Sequence, residues 1–302
     1  MKDMSKSIEM RLKNIARREL LPYEMLLRFH MQNGILLRIS KSQYKDNFIL
    51  KGGLLTFILM RMKSRPTLDI DLLAIKLKNE LKNIEAIFTE IFSVDYDGDG
   101  LHFNINTMTI QKIMVHAGYP GVQLKITCYL GQNTNIHMHI DIGFGDIVIN
   151  PSILEYPPML SELEPIILKA YSIDSLIAEK FHAMVRHSVF NGRLKDFYDV
   201  HSFLSTREFD GEILQNAIRQ TFAQRNTDIS DAVYIFTSEY AENDSLNKQW
   251  GIFKRRLGQA VGQSFPEIMT DIGIFLKPIL NSLIEDEQFV SIWNPDDRVW
   301  RR

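Results

Sequence analysis

Cysteine is almost absent from this chain: one residue, Cys128, among 302. A lone cysteine excludes an intrachain disulfide and suits a reducing compartment, so the fold must rest on its apolar core. Its alternating neighbours place Cys128 on a buried strand as an inert thiol. Long hydrophobic runs are also missing. No uninterrupted apolar stretch reaches the ~18 residues that suggest a membrane span. The opening MKDMSKSIEMRLKNIARREL is polar and has no small-residue cleavage site, so a secretory leader is not expected and the reading is cytoplasmic. Neither sign of charge dominates: 35 Lys and Arg stand against 37 Asp and Glu, for a net −2. Such a balance gives no general attraction to nucleic acid, and any RNA contact must come from a local basic patch. The eight histidines form no zinc motif. His137 and His139 alternate with Ile136, Met138 and Ile140 on a strand; His139 shares a face with Asp141, either bordering a metal site or acting structurally.

What is present suits a globular protein. Hydrophobic residues make up 45% of the chain, enough for a sizeable core. Residues 7–39 read as two helices, and Phe48-Ile49-Leu50 as a short strand ending at Lys51-Gly52-Gly53. Leu54 to Met62 reads as a buried helix, Leu68 to Ala74 as a strand, and Leu77 to Phe92 as an amphipathic helix. Three alternating segments follow, 102–114, 122–130 and 136–142, separated by glycine-rich turns. Pro151, Pro157, Pro158 and Pro165 mark an irregular connector, after which residues 171–284 read as helical without a strand pattern. The expectation is an α+β chain, with a mixed-sheet half at 1–160 and a helical half at 161–302.

The chemistry concentrates around Arg65-Pro66-Thr67-Leu68-Asp69-Ile70-Asp71. Alternation on a strand puts Asp69 and Asp71 on one side, with Cα atoms about 7 Å apart, and Thr67 on the same face. Two adjacent carboxylates repel and stay ionised cheaply only with a cation between them. Beside them, Gly52 and Gly53 lack a Cβ and let the backbone approach a phosphate at the start of a helix. A divalent metal pair beside a phosphate-accepting turn is what phosphoryl or nucleotidyl transfer needs. The plain alternative is a turn and a strand with solvent-facing acids.

Further stretches narrow that choice. GILLRISKSQYKDNFILKGGLLTFILMRMKSRPTLDIDLL at 34–73, IDIGFGD at 140–146, YSIDSLIAEKFHAMVRH at 171–187 and RLKDFYDV at 193–200 together resemble the AbiEii/AbiGii toxin nucleotidyltransferases, a branch of the DNA polymerase β-like superfamily. The resemblance runs from about residue 30 to about residue 225. It implies a polymerase β-like mixed sheet with flanking helices. It also implies magnesium (or manganese) on Asp69, Asp71 and a third acid, Asp141, with Lys51, Gly52, Gly53, Arg65, Thr67 and Lys180 at the nucleotide. Asp196 of the Lys-Asp-X-Tyr-Asp motif is implied to be needed for activity. Many superfamily relatives carry Ser or Thr after the glycines; Leu54 here removes that hydroxyl.

Several positions keep two readings. Lys180 falls on the apolar stripe of its helix and needs an anion, either a triphosphate or an acid such as Asp196 or Glu179. Arg65 could neutralise phosphate or pair with a site acid. Asp146 could orient Asp141 or close a turn, and Asp199 could be structural. Arg186, Arg193 and Lys195 form a basic cluster that could receive RNA or simply face solvent.

The resemblance implies a pyrophosphate-releasing enzyme that uses an NTP, with a tRNA 3′ end or other RNA as acceptor. It further implies the toxin of a bacterial toxin–antitoxin or phage-defence system, partnered by a cognate antitoxin. A small-molecule nucleotidyltransferase of antibiotic-modifying type is the second class. A non-enzymatic nucleotide-binding protein is the third; retention of Asp69, Asp71 and Asp141 argues against it, because unmatched buried acids are costly.

Overall fold

The computed structural model describes residues 4–61, 64–115, 119–145, 148, 151–160, 162–188, 193–257 and 262–302. The chain forms two compact units: one of residues 1–62, 66–146 and 151–171, the other of 63–65, 147–150 and 172–302.

The first unit opens with helices α1 (Met4–Glu19) and α2 (Tyr23–Lys41). Strand β1 (Phe48–Lys51) runs directly into helix α3 (Gly52–Leu59), and β2 (Asp69–Ala74) precedes helix α4 (Leu81–Phe92). Strands β3 (Leu101–Val115), β4 (Tyr119–Leu130) and β5 (Thr134–Phe144) form a meander, followed by β6 (Ser152–Tyr156) and β7 (Ile166–Ala170). The seven strands make one sheet in the order β3-β4-β5-β2-β1-β7-β6. β2 and β5 pair parallel, as do β1 and β7, so the sheet is mixed.

Alternation divides that sheet cleanly. Val122, Leu124, Ile126, Cys128, Met138, Ile140 and Ile142 are buried, while the residues alternating between them on β4 and β5 are exposed or half-buried, Thr127 excepted. Phe92 of α4 stacks on Phe103 of β3 at 5.0 Å, and Phe88 meets Phe48 at 5.3 Å, which fixes α4 against the apolar face. Burial pushes the Cys128 thiol far above its usual range, so it is inert as expected.

The stretch expected as an irregular connector instead holds β6 and β7. Its prolines lie just outside those strands, where they remove no ladder hydrogen bond. The Ile166–Ala170 segment alternates buried and exposed positions, and its Ala170 pairs with Leu50. Tyr156 donates to Asn33 of α2 at 2.9 Å. Helix α4 begins at Leu81 rather than Leu77, and β2 begins at Asp69 rather than Leu68.

The second unit is mainly helical: α5 (Ile173–His187), α6 (Leu194–Leu204), α7 (Gly211–Gln224), α8 (Ser238–Ala241), α9 (Asp244–Leu257) and α10 (Phe265–Ile284). The expected absence of strands here is corrected by a small sheet of β8 (Phe209–Asp210), β9 (Ile292–Asn294) and β10 (Val299–Arg301). Aromatic packing holds it: Trp300 stacks on Phe275 at 5.5 Å, and the indole of buried Trp293 donates to the Leu204 carbonyl at 2.7 Å. No helix among the described residues is long and apolar enough to cross a membrane.

One buried ion pair ties the first unit's helices to the start of its meander. Arg38 of α2 donates to Asp99 at 2.6 Å, and the side chains are 4% and 1% exposed. Asp99 also accepts from the Leu101 amide at 3.0 Å. Arg38→Leu should therefore leave Asp99 buried without its charge partner and cost about 3–5 kcal/mol, read as a lowered urea midpoint.

Candidate active site

The acids of the first unit are brought together by strand register. β2 lies between β1 and β5, with Lys51 opposite Asp71, Asp69 opposite His139, and Asp71 opposite Asp141. Asp69, Asp71 and Asp141 thus share one face of neighbouring strands about 4.8 Å apart. Each carboxylate has a defined neighbour. Asp69 Oδ1 lies 3.4 Å from His139 Nδ1, Asp71 Oδ2 accepts from the Gly53 amide at 3.2 Å, and Asp141 Oδ1 accepts from Gln123 at 2.9 Å. Gln111 donates in turn to Gln123 at 3.0 Å, so side-chain amides lead from the edge strand to Asp141.

Burial raises the Asp141 carboxyl above its usual range; the Gln123 hydrogen bond opposes this, and the charges of Asp71 and Asp69 add to it. With these side-chain placements, no three His, Cys, Asp or Glu side chains among the described residues stand close enough together to hold a metal ion. The donor chemistry nevertheless suits a hard divalent cation. Three carboxylates share a face, a set of oxygen donors that such a cation takes.

Gly52 explains why the turn takes this form. Its φ is +66°, and a Cβ there would lie 2.2 Å from Asp71 Oδ2. Only glycine meets both demands. Leu54 is fully buried, and Thr56 turns its hydroxyl back to the Gly52 carbonyl at 3.1 Å. Lys51 is 6% exposed, with Nζ 5.3 Å from the Tyr171 ring centre. Thr67 precedes the strand, so alternation does not extend to it; its carbonyl accepts from Gln32 at 3.2 Å. Asp146 lies outside the described residues.

The second unit holds a chain of alternating charges. Lys180 lies on the buried stripe of α5 and donates to Asp199 at 2.6 Å, with Asp196 at 3.4 Å. Arg65 grips Asp199 with two bonds, Nε at 3.1 Å and Nη2 at 2.9 Å. Arg193 Nε donates to Asp196 at 2.8 Å. Of the two candidate acids for Lys180, Asp196 is present and Glu179 is not: Glu179 takes Arg225 at 2.6 Å. Asp199, left open between a functional and a structural reading by the sequence, is the fully buried junction of Lys180 and Arg65. Burial pushes Asp196 up, but Lys180, Arg193 and Lys195 outweigh it and hold the carboxyl down at about 2. Arg186 is exposed and Lys195 half-buried, whereas Arg193 already serves Asp196.

Sequence reasoning missed Gln123 and Gln111, because only strand register shows that they border Asp141. It also missed the bidentate Arg65–Asp199 bond, which joins residues 134 positions apart.

A sequence profile of the family described as nucleotidyl transferase AbiEii toxin, type IV toxin–antitoxin system, matches residues 34–271. The chain belongs to this family. No curated protein matches it. Among solved structures, the nucleotidyltransferase toxin MenT4 of Mycobacterium tuberculosis H37Rv is similar, with a TM-score of 0.53 and 14% identity over 89% of this chain and 92% of that one. JHP933 of Helicobacter pylori gives a TM-score of 0.47 and 14% identity over 88% and 96%. At such identity MenT4 supports the fold, and membership of the nucleotidyltransferase toxins rests on the family match.

Two outcomes follow from this geometry. Gly52→Ala should lower stability by about 1–3 kcal/mol in denaturant titration and displace Asp71, because both the left-handed backbone and the close approach are lost. Asp196, held low in the native state, contributes stability that is complete above its unfolded pKa of about 4 and vanishes as pH falls through about 2. Melting curves across that window should show an acid limb, on the order of 2 kcal/mol, that Asp196→Asn abolishes.

Proposed function

We propose that this family member transfers NMP from an NTP to a hydroxyl at the 3′ end of an RNA, with tRNA the leading candidate, and releases pyrophosphate. The observation that carries the reading is the row of Asp69, Asp71 and Asp141 beside a glycine turn whose amide already points at one of them. Asp69, Asp71 and Asp141 would hold magnesium or manganese, which when bound neutralises phosphate charge and polarises the reacting oxygens. The amides at the start of α3 are the donors for phosphate oxygens. Asp141, the third acid on the face, would help to take up the acceptor's hydroxyl proton. That oxygen attacks the α-phosphorus as the bond to the pyrophosphate oxygen breaks.

The second unit's cluster of Arg65, Lys180 and Arg193 with Asp196 and Asp199 carries three cations against two acids. A net positive cluster is a candidate for phosphate. A cognate antitoxin, a cytoplasmic setting and a role in phage defence complete the reading. One observation favours a small hydroxylated acceptor as the second reading: Arg193, a member of the basic cluster expected to meet RNA, is engaged by Asp196.

Purified protein incubated with each labelled NTP, magnesium and total tRNA should label RNA. Asp71→Asn should abolish labelling while leaving the thermal midpoint unchanged or raised, since a like charge beside Asp141 is removed. Magnesium should raise the midpoint of the wild type more than that of Asp71→Asn. An Asp71→Asn protein that labels RNA normally would refute the site.

A further inference from the structure

The face of the first unit's sheet that carries the acids continues far beyond them. From Asp71, the pairing runs through Asp141 and Gln123 to Gln111; from Asp69 it runs through His139 and Lys125 to Thr109. The next rows hold His137, Thr127 and Asn104, then Asn135, Tyr129 and His102. All are exposed or half-buried except Thr127. The opposite face of β4 and β5 is core, with Val122, Leu124, Met138 and Ile140 buried, so apolar residues are not needed on this one.

Its chemistry is selective. Strands β3 to β5 contain one carboxylate, Asp141, in a chain that has 37 acids overall. The rest of the face offers side-chain amides, each both donor and acceptor, together with imidazoles, one lysine and a tyrosine. Tyr129 and His102 stand as neighbours across β3 and β4, ring centres 6.4 Å apart. Flat rings, amides and an isolated cation are what unstacked bases and a sparse phosphate backbone require, and they do not need a strongly basic surface. This fits a chain of net charge −2. Strand spacing and rise make the face about 14 Å wide and somewhat longer along the strands, room for two or three nucleotides.

We propose that this sheet face binds the single-stranded 3′ end of the RNA acceptor, with a base on Tyr129 and His102, phosphate near Lys125, and the terminal hydroxyl delivered to Asp141. The proposal rests on the nucleotidyl-transfer reading for its orientation, and it moves the acceptor contact from Arg186, Arg193 and Lys195 to the sheet. The Gln111–Gln123–Asp141 series then runs from the bound strand to the row of acids.

The test is fluorescence anisotropy of the full chain with a labelled single-stranded oligoribonucleotide of mixed sequence bearing a free 3′ hydroxyl. Tyr129→Ala should weaken binding about tenfold and Tyr129→Phe should restore most of it, because the ring and not the hydroxyl does the stacking. Lys125→Gln should reduce the salt slope by about one phosphate contact. Asp71→Asn should bind the RNA and fail to extend it. Thermal midpoints of the same samples exclude misfolding. The proposal is overturned if Tyr129→Ala and Lys125→Gln bind like wild type, or if only Arg186 and Lys195 substitutions weaken binding. It is overturned equally if the wild type ignores RNA yet nucleotidylates a small alcohol, an outcome that leaves nucleotidyl transfer intact. RNA binding through Tyr129 with no transfer from any NTP would support the sheet face and refute the enzymatic reading.

Discussion

The bond from the Gly53 amide to the Asp71 carboxylate is the constraint around which the first unit's acids are arranged. It forms because β1 pairs antiparallel with β2 so that Lys51 faces Asp71, and because the chain turns into α3 immediately afterwards. Asp71 Oδ2 lies 2.2 Å from where a Cβ on residue 52 would sit, which leaves glycine at that position. The amide that opens α3 and the Asp71 carboxylate are thereby held as one rigid piece. An apolar helix and an apolar sheet face behind them, with Leu54 and Ile70 fully buried, leave that piece little freedom to move.

The second unit solves a different electrostatic problem. Lys180, Asp196 and Asp199 are nearly removed from water, and isolated charges there would be prohibitive. Alternation of cation and anion from Arg65 to Arg193 satisfies each charge with its neighbour. Each acid meets two cations, Asp199 with Arg65 and Lys180, Asp196 with Lys180 and Arg193, so the members are coupled.

Much of the first unit was legible in the chain. Period-two alternation located β3 to β5, and the Asp-Ile-Asp spacing put two acids on one face, because a strand's side chains alternate whatever its partners. The β6 and β7 strands were obscured by flanking prolines, which mark loops in sequence but border strands in space. The short β8 to β10 sheet was not legible, since strands of two or three residues carry no periodic signal and depend on the Trp293 and Trp300 contacts.

The sequence by itself determined the acids, the glycine turn, the buried cysteine and the family to which the chain belongs, all carried by local spacing. Only the tertiary structure decided which acid each cation meets: Lys180 goes to Asp199 and Asp196, Glu179 to Arg225, and Arg65 to Asp199. It also decided that Gln123 orients Asp141 and that an acid-poor face extends from the site. The reason is range. Alternation and backbone strain act between neighbours in the chain, whereas ion pairs and strand register join residues that folding alone brings together.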